Sequence, residues 1–452
     1  MVTERVFVLA VGLYLGCAAS AGAAEIPPLI DAVREGDTPT VLALLAQGAD
    51  VNVTEGDGAS ALHWASYRDD ARVVGLLLDA GADVDATNDL GATPLWVASQ
   101  NGNAVTASAL LEAGADPNLV LLAGESPLMV AARSGSHDVV DRLLTHGAEI
   151  DASGARGQTA LMWAVAQRHA VVVETLLSHG ADVHARSDVW TQMMAVPPHS
   201  YTKREIPHGG NTALLFAARV GALESARVLI MGGANVNDAD AWGISATTLA
   251  AHLGQADLVD YLLDAGADPN AAEAGIAPLH NAVMLNDVET VEALLDHGAD
   301  PNIRLGTWSP TRRASRDRYF PASLVGATPF WLAARFARAQ MMRLLVDHGA
   351  NPLFVHEVDY VVDGRYERIN ERTTALMAAL GMGGGRLRAW VPSSPVESEA
   401  LTLEAIRLAV ELGVDVNAVD ASGRTVLDGA RAVPLDAVVV FLESRGAVSG
   451  TP

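Results

Sequence analysis

Five short strings, Gly48-Ala49-Asp50, Gly81-Ala82-Asp83, Gly114-Ala115-Asp116, Gly147-Ala148-Glu149 and Gly180-Ala181-Asp182, follow one another at intervals of 33 residues. A single globular core imposes no such period. A fixed interval between about 20 and 50 residues marks a stacked array, in which each unit buries its apolar face only against its neighbours. That constraint outranks composition. The 452 residues, half of them apolar, would otherwise suggest two or three ordinary domains.

Each unit encodes its own local structure. Thr93-Pro94-Leu95 opens a helix with a hydroxyl at the N-cap and proline at the first helical position. Small residues follow, such as Ala98 and the pairs Ala131-Ala132, Ala217-Ala218 and Ala333-Ala334, which let a neighbouring helix approach closely. A second helix carries Val139, Val140, Leu143 and Leu144 at helical spacing. It ends at a glycine suited to a left-handed cap, and the chain then turns. Gly91-Ala92-Thr93-Pro94-Leu95, Leu110-Leu111 and Gly114-Ala115-Asp116-Pro117-Asn118 resemble the ankyrin repeat family, as does Gly326-Ala327-Thr328-Pro329-Phe330. The resemblance extends over residues 26–447. It implies an all-α solenoid of helix-turn-helix units with projecting hairpin fingers, and a family whose usual work is protein recognition.

The terminal glycines continue at Gly233, Gly266, Gly298, Gly349, Gly413 and Gly446, spaced 53, 33, 32, 51, 64 and 33 from the one before. The pattern predicts about eleven repeats over 25–447, the first and last atypical, the last a C-terminal cap, and a tail at 448–452. At roughly 8–10 Å per helix layer, such a stack would form a curved rod of roughly 100 Å. The long spacings are one repeat plus an insertion, and insertions in a solenoid go to loops, often on the binding face. They fall at about 186–209, 303–325, 353–371 and 381–398.

The first insertion contains Trp190, Met193, Met194, His199, Tyr201, Lys203, Arg204 and His208. The second contains Trp308, Arg312, Arg313, Arg316, Arg318, Tyr319 and Phe320. With Arg304 added and Asp317 subtracted, the second is +4 in a chain of net charge −24. Arginine, tryptophan and tyrosine concentrate binding energy at interface centres. Trp190, His199, Tyr201, Lys203, Arg204, Trp308, Arg312, Arg313, Arg316, Arg318, Tyr319 and Phe320 are therefore the candidate partner-binding residues. If both loops sit on the finger edge, they would frame a basic, aromatic mouth on the concave side. The opposing reading folds these loops back as shields on the stack. In the third insertion, Val358 to Val362 alternates before Asp363-Gly364, which predicts a longer hairpin. The fourth, with Gly381-Met382-Gly383-Gly384-Gly385, lacks the Gly-Lys-Ser/Thr ending of a phosphate loop and reads as a flexible connector.

The charge of −24 argues against nucleic acid and anionic membrane surfaces as general targets. Much of it sits on finger aspartates such as Asp50, Asp83, Asp85, Asp116, Asp151 and Asp182, where turn chemistry explains it. His63-Trp64, Trp96, Met129, Met162-Trp163, Phe216, Trp331 and Met377 recur near the starts of first helices. They read as core, with an exposed apolar ladder along the concave wall as the alternative. His146, His179, His297 and His348 each precede a terminal glycine, where a cation favours the negative end of the helix dipole. Their recurrence at one repeat position makes them structural. His199 and His208 lack the cysteine or carboxylate spacing of a metal site. No nucleophile motif, phosphate loop or zinc-peptidase signature is present.

Arg5 precedes an apolar run, Val6 to Gly16, and then small residues, Ala18 to Ala24. Cleavage after Ala23 or Ala24 fits a bacterial secretory signal occupying 1–24. The run is too short for a conventional membrane span. Cys17, the single cysteine, follows an imperfect lipoprotein-type sequence, so lipidation there is the alternative processing. The expectation is a monomeric, non-enzymatic protein-interaction scaffold, periplasmic or secreted and without a cofactor. It would bind a protein partner through its concave face and insertions. A binding module for an anionic small molecule or polysaccharide, using the arginine-rich insertion, is the alternative. An enzyme built on the insertions is a third.

Overall fold

The computed structural model describes residues 26–196, 199–308, 320–361, 367–384, 395–433 and 435–450. Among these residues the helices form eleven consecutive antiparallel pairs. The expected export signal lies outside the described residues. Two compact units divide the chain, one running to Ala155 and including Ser178–Gly180, the other comprising Arg156–Leu177 and Ala181–Pro452.

The first unit holds four pairs. They are Pro28–Glu35 with Thr38–Ala46, Ala61–Tyr67 with Ala71–Asp79, Pro94–Asn101 with Ala104–Glu112, and Pro127–Ser134 with His137–Thr145. The second unit adds Ala160–Ala166 with Ala170–Ser178, Ala213–Val220 with Leu223–Met231, Ala246–Leu253 with Ala256–Asp264, and Pro278–Leu285 with Val288–Asp296. Pro329–Arg335 with Ala339–Asp347, Ala375–Ala379 with Pro395–Glu411, and Val426–Arg431 with Asp436–Ser444 complete it. Within each unit, first helices pack on the first helices of adjacent repeats and second helices on second helices. The core is thus a continuous apolar layer assembled repeat by repeat.

The local signals act as the sequence implies. Thr93 Oγ1 accepts the Trp96 N–H at 3.1 Å, and Ser126 Oγ accepts that of Met129 at 3.2 Å. Each satisfies a donor that the first turn would otherwise leave orphaned. At the far end of the second helix, Ala115 N–H reaches back to Leu110 C=O at 3.0 Å while Gly114 sits at φ +91. A Cβ on Gly114 would meet nothing within 4 Å, so glycine is needed there for its backbone conformation and not for space.

The finger aspartates do hold turns. Asp50, Asp116 and Asp182 accept N–H bonds from Asn52, Asn118 and His184, at 3.0, 2.9 and 2.9 Å. A device missed at the sequence level links the repeats through the asparagine two positions on. Asn118 donates to Gly147 C=O at 3.1 Å and accepts from Glu149 N–H at 2.8 Å. Asn237 makes the same two bonds to Gly266 and Asp268, and Asn270 to Gly298 and Asp300.

Two of the insertions form hairpins. The first, expected as a loop, is an antiparallel hairpin of β1 (Val189–Val196) and β2 (His199–Gly209), in register from Val189↔Gly209 to Ala195↔Lys203. The third is the expected hairpin, β3 (His356–Val361) and β4 (Arg368–Thr373), with its connection outside the described residues. The C-terminal tail also docks as far as it is described: Thr425 Oγ1 donates to Val448 C=O at 2.9 Å, and Gly450 N–H donates to Asp428 at 2.8 Å.

Candidate partner-binding surface

Within each unit, several neighbouring fingers are joined to the one before by a backbone hydrogen bond. In the first unit Asp89 N–H donates to Asp57 C=O and Leu122 N–H to Leu90 C=O, at 2.9 and 3.0 Å. In the second, Asp188 donates to Arg156, Ala241 to Gly209 and Gly306 to Gly275, at 2.8, 3.0 and 2.7 Å. Gly157 shows what this closeness requires. Its φ is +66, and a Cβ there would come 2.7 Å from Asp188 N. The β1–β2 hairpin extends past this row of short fingers.

Most of β1 is exposed on both faces. Val189, Trp190 and Met193 are 62%, 41% and 54% accessible, and Thr191 and Gln192 are exposed too. Trp190 does not lie loose. Its ring stacks on His208, directly opposite in the ladder, at 5.7 Å with an interplanar angle of 22°. The Arg156 guanidinium lies 5.4 Å from the same ring. An aromatic pre-ordered by its neighbours loses little freedom when a partner covers it. On β2 the described side chains are mixed: Glu205 is exposed and Ile206 is buried.

The predicted residues divide into four groups. Trp190 is placed as a surface aromatic, and Trp308 is half-buried. His199, Tyr201, Lys203 and Arg204 lie on β2, with Lys203 paired to Ala195 and Arg204 to Met194 in the ladder. Arg312, Arg313, Arg316, Arg318 and Tyr319 lie outside the described residues, as does the basic mouth they were expected to form. Phe320 overturns its expected role. It is 1% accessible and meets the buried His280 ring edge-on at 6.4 Å. Ser323 and Leu324 after it are buried as well, so the end of this insertion packs on the stack because its apolar side chains find core there.

Repeats nine and ten hold a second constellation that the sequence reading did not assemble. Glu371 on β4 accepts the Tyr360 hydroxyl at 2.7 Å and the Gly384 N–H at 2.6 Å. Its charge opposes the burial that lowers the Arg335 guanidinium pKa; the Tyr360 pKa is raised by that ring's own burial and then by its bond to Glu371. Ser323 Oγ donates to Gly384 C=O at 2.8 Å. His356 is fully buried, packs 4.4 Å from the Trp331 ring and bonds Val325 C=O, and burial lowers its pKa. The described part of the glycine-rich segment is therefore pinned, against its reading as a connector. Gly384, at φ +71, lies so close to Trp331 and Leu324 that a Cβ would come within 3.2 Å of both. The first helix of this repeat, Ala375–Ala379, is shortened to make that turn.

The concave aromatic ladder resolves as core. Trp64, Trp96, Met129, Met162, Phe216, Trp331 and Met377 are buried and Trp163 is half-buried, so these residues form no continuous exposed ladder. Sequence reasoning also passed over Leu90, Val120 and Leu122 at neighbouring finger tips of the first unit, which are 50%, 48% and 82% accessible. Apolar residues at turn tips, where polar ones are usual, were the available signal.

Three of the four recurring histidines link repeats, while His146 bonds Arg142 C=O of its own helix. His297 Nδ1 lies 2.8 Å from Ala293 C=O, and its Nε2 lies 3.3 Å from Asp264 of the repeat before. His348 contacts Leu344 and Asp296, and His179 contacts Asp141, in the same way. The carbonyl bond, with the aspartate, raises the pKa of His297 and of His348. Two buried histidines behave oppositely. Burial lowers His63 and takes His280 to about 4, each holding a carbonyl across to the next finger, Ala92 or Ile303.

Among the described residues no group of three or more histidine, cysteine or carboxylate side chains is disposed to hold a metal ion. No described helix is long and apolar enough to cross a membrane. The family comparison agrees with this geometry. The model described as ankyrin repeats (3 copies) matches residues 29–121, 108–187 and 214–304, and the single ankyrin repeat model matches 325–357. The chain belongs to the ankyrin repeat family. No curated protein matches it. Ankyrin repeats are generally protein–protein interaction modules, and proteins built from them are typically non-enzymatic scaffolds.

Proposed function

We propose that this chain is an exported, non-enzymatic scaffold that holds a protein partner on its finger side, with the β1–β2 hairpin as the principal contact. One observation carries the reading. A hairpin that interrupts a strict 33-residue period exposes Val189, Trp190 and Met193 together, with Trp190 braced by His208 and Arg156. An exposed apolar patch on an otherwise acidic chain marks an interaction site. The flanking Lys203 and Arg204 would add charge selection, weakened by salt because exposed charges are screened beyond about 8 Å.

Export rests on Arg5, the Val6–Gly16 run and the small residues Ala18 to Ala24. Protein recovered from its own cells is then expected to begin near Ala24 or Glu25, or at a lipidated Cys17. An intact Met1 or Val2 terminus by mass spectrometry would contradict export. For binding, a photo-reactive residue placed at Met193 is expected to give one discrete protein adduct that the same residue at Glu174, on a second helix, does not. Identical adduct patterns from both positions would remove the hairpin from the interface.

A further inference from the structure

β1 presents a strand edge without charge or proline, its register with β2 shifting only between Ala195 and Val196. It reads Val189-Trp190-Thr191-Gln192-Met193-Met194-Ala195-Val196, without a charge or a proline. The other strands carry them: Lys203, Arg204, Glu205 and Pro207 in β2, Glu357 and Asp359 in β3, Arg368, Glu371 and Arg372 in β4. Charged side chains and prolines are what keep exposed edges from pairing with other chains. Among the described residues, no backbone hydrogen bond joins 189–196 to anything outside the hairpin.

The base of the hairpin shows where a neighbour would run. Asp188 N–H already donates sideways to Arg156 C=O, as the finger row requires. The preceding finger turns back at Arg156 and Gly157, both at positive φ. Beyond that turn the edge of β1 continues for eight residues with no described finger beside it. A longer preceding finger would have filled the place.

We propose that an extended, uncharged segment of a partner protein adds to β1 as a third strand, over the turn at Arg156. This rests on the scaffold reading above and names the form its partner takes. Neutrality of the segment follows from β1, which offers no charge to pair with one. Alternate side chains of the added strand would lie beside Val189, Thr191 and Met193 on one face and Trp190, Gln192 and Met194 on the other, which favours apolar and β-branched residues. A second copy of this chain is the poorer occupant, because it would bring one net charge of −24 against another.

The test uses the full chain and an acetylated, amidated octapeptide of alternating threonine and valine, with hydrogen exchange read over 189–196. Exchange is expected to slow at least tenfold in part of that strand. The same peptide N-methylated at every second residue should give no protection, because its hydrogen-bonding edge is blocked. Thr191→Lys with Met193→Lys should weaken peptide binding at least tenfold, while Val105→Lys with Val171→Lys, an equal charge at exposed positions elsewhere, should not. Equal protection by both peptides would show side-chain docking and overturn strand addition. Protection only by a peptide of sequence 189–196, with a concentration-dependent dimer, would make the occupant a second copy and overturn the choice of partner. No protection by any peptide would also overturn the proposal, while an adduct at Met193 would leave the scaffold reading standing.

Discussion

The two finger hairpins begin as the same device, an insertion between a second helix and the next first helix, and end in opposite states. β3–β4 keeps a strict two-residue alternation. His356, Tyr360, Glu371 and Thr373 turn to one face and meet the stack, while Glu357, Asp359, Asn370 and Arg372 turn to water. Its outer face is tied across the strands, Arg368 to Asp359 and Arg372 to Glu357, at 2.6 and 3.2 Å. In β1–β2, by contrast, β1 is exposed on both faces over most of its length. A hairpin whose inner face is core and whose outer face is self-paired has satisfied its own chemistry. One that leaves apolar side chains and an unpaired edge in water has not, and the proposed binding surface rests on that difference.

The largest expected effect tests the packed side of this comparison. Phe320→Ala removes a buried ring beside His280 and should cost about 3–5 kcal/mol in urea unfolding. Loss of partner binding at unchanged stability would instead return Phe320 to the interface. Glu371→Gln should cost about 2 kcal/mol, since it weakens bonds to Tyr360 and Gly384 and removes the charge facing Arg335. A smaller cost than that of an exposed β1 substitution would erase the distinction between the hairpins.

The histidines sharpen the comparison through pH. His280 is held to about 4 and His63 is lowered, so the unfolded chain binds protons that the folded chain refuses. Stability should therefore fall as pH drops from about 6.5 toward 4. His297 and His348 are raised, so their contribution is complete below about 6.5 and lost as pH rises through their folded values. The thermal midpoint should pass through a maximum in the weakly acidic range. Replacing His297 and His348 by glutamine should flatten only the alkaline limb, and flattening of the acid limb instead would reverse the assignment. The smallest effect belongs to the free hairpin. Thr191→Lys with Met193→Lys should change stability by no more than about 0.5 kcal/mol, because neither side chain is buried.

How much was legible follows from the range of each signal. The period, the Thr93 and Ser126 caps and the Gly114 terminus are local, and the residues that fix them lie within a turn of one another. The pairing of fingers through Asn118 and the linking of repeats through His297 and Asp264 need two repeats in register, which a single unit does not reveal. Trp190 was singled out from residue type alone, and the structure adds that its ring is exposed and stacked on His208. Phe320 was misassigned by the same rule, because type does not distinguish a ring that reaches water from one that reaches His280. The Glu371 cluster joins Ser323, Arg335, Tyr360 and Gly384 across three insertions, and nothing in their spacing announces it.

The central claim is that β1–β2 serves a partner while β3–β4 serves the fold. It is tested most directly by shortening β1–β2 to ordinary finger length, replacing 189–208 with Asn-Gly in the full chain, and measuring thermal midpoint and partner adduct formation on the same preparation. The account predicts a midpoint within about 2 °C of the parent, well under the shift from a single core truncation, and at least a tenfold loss of adduct formed from a photo-reactive residue at Arg186. A midpoint lowered by several degrees with adduct yield unchanged would contradict it.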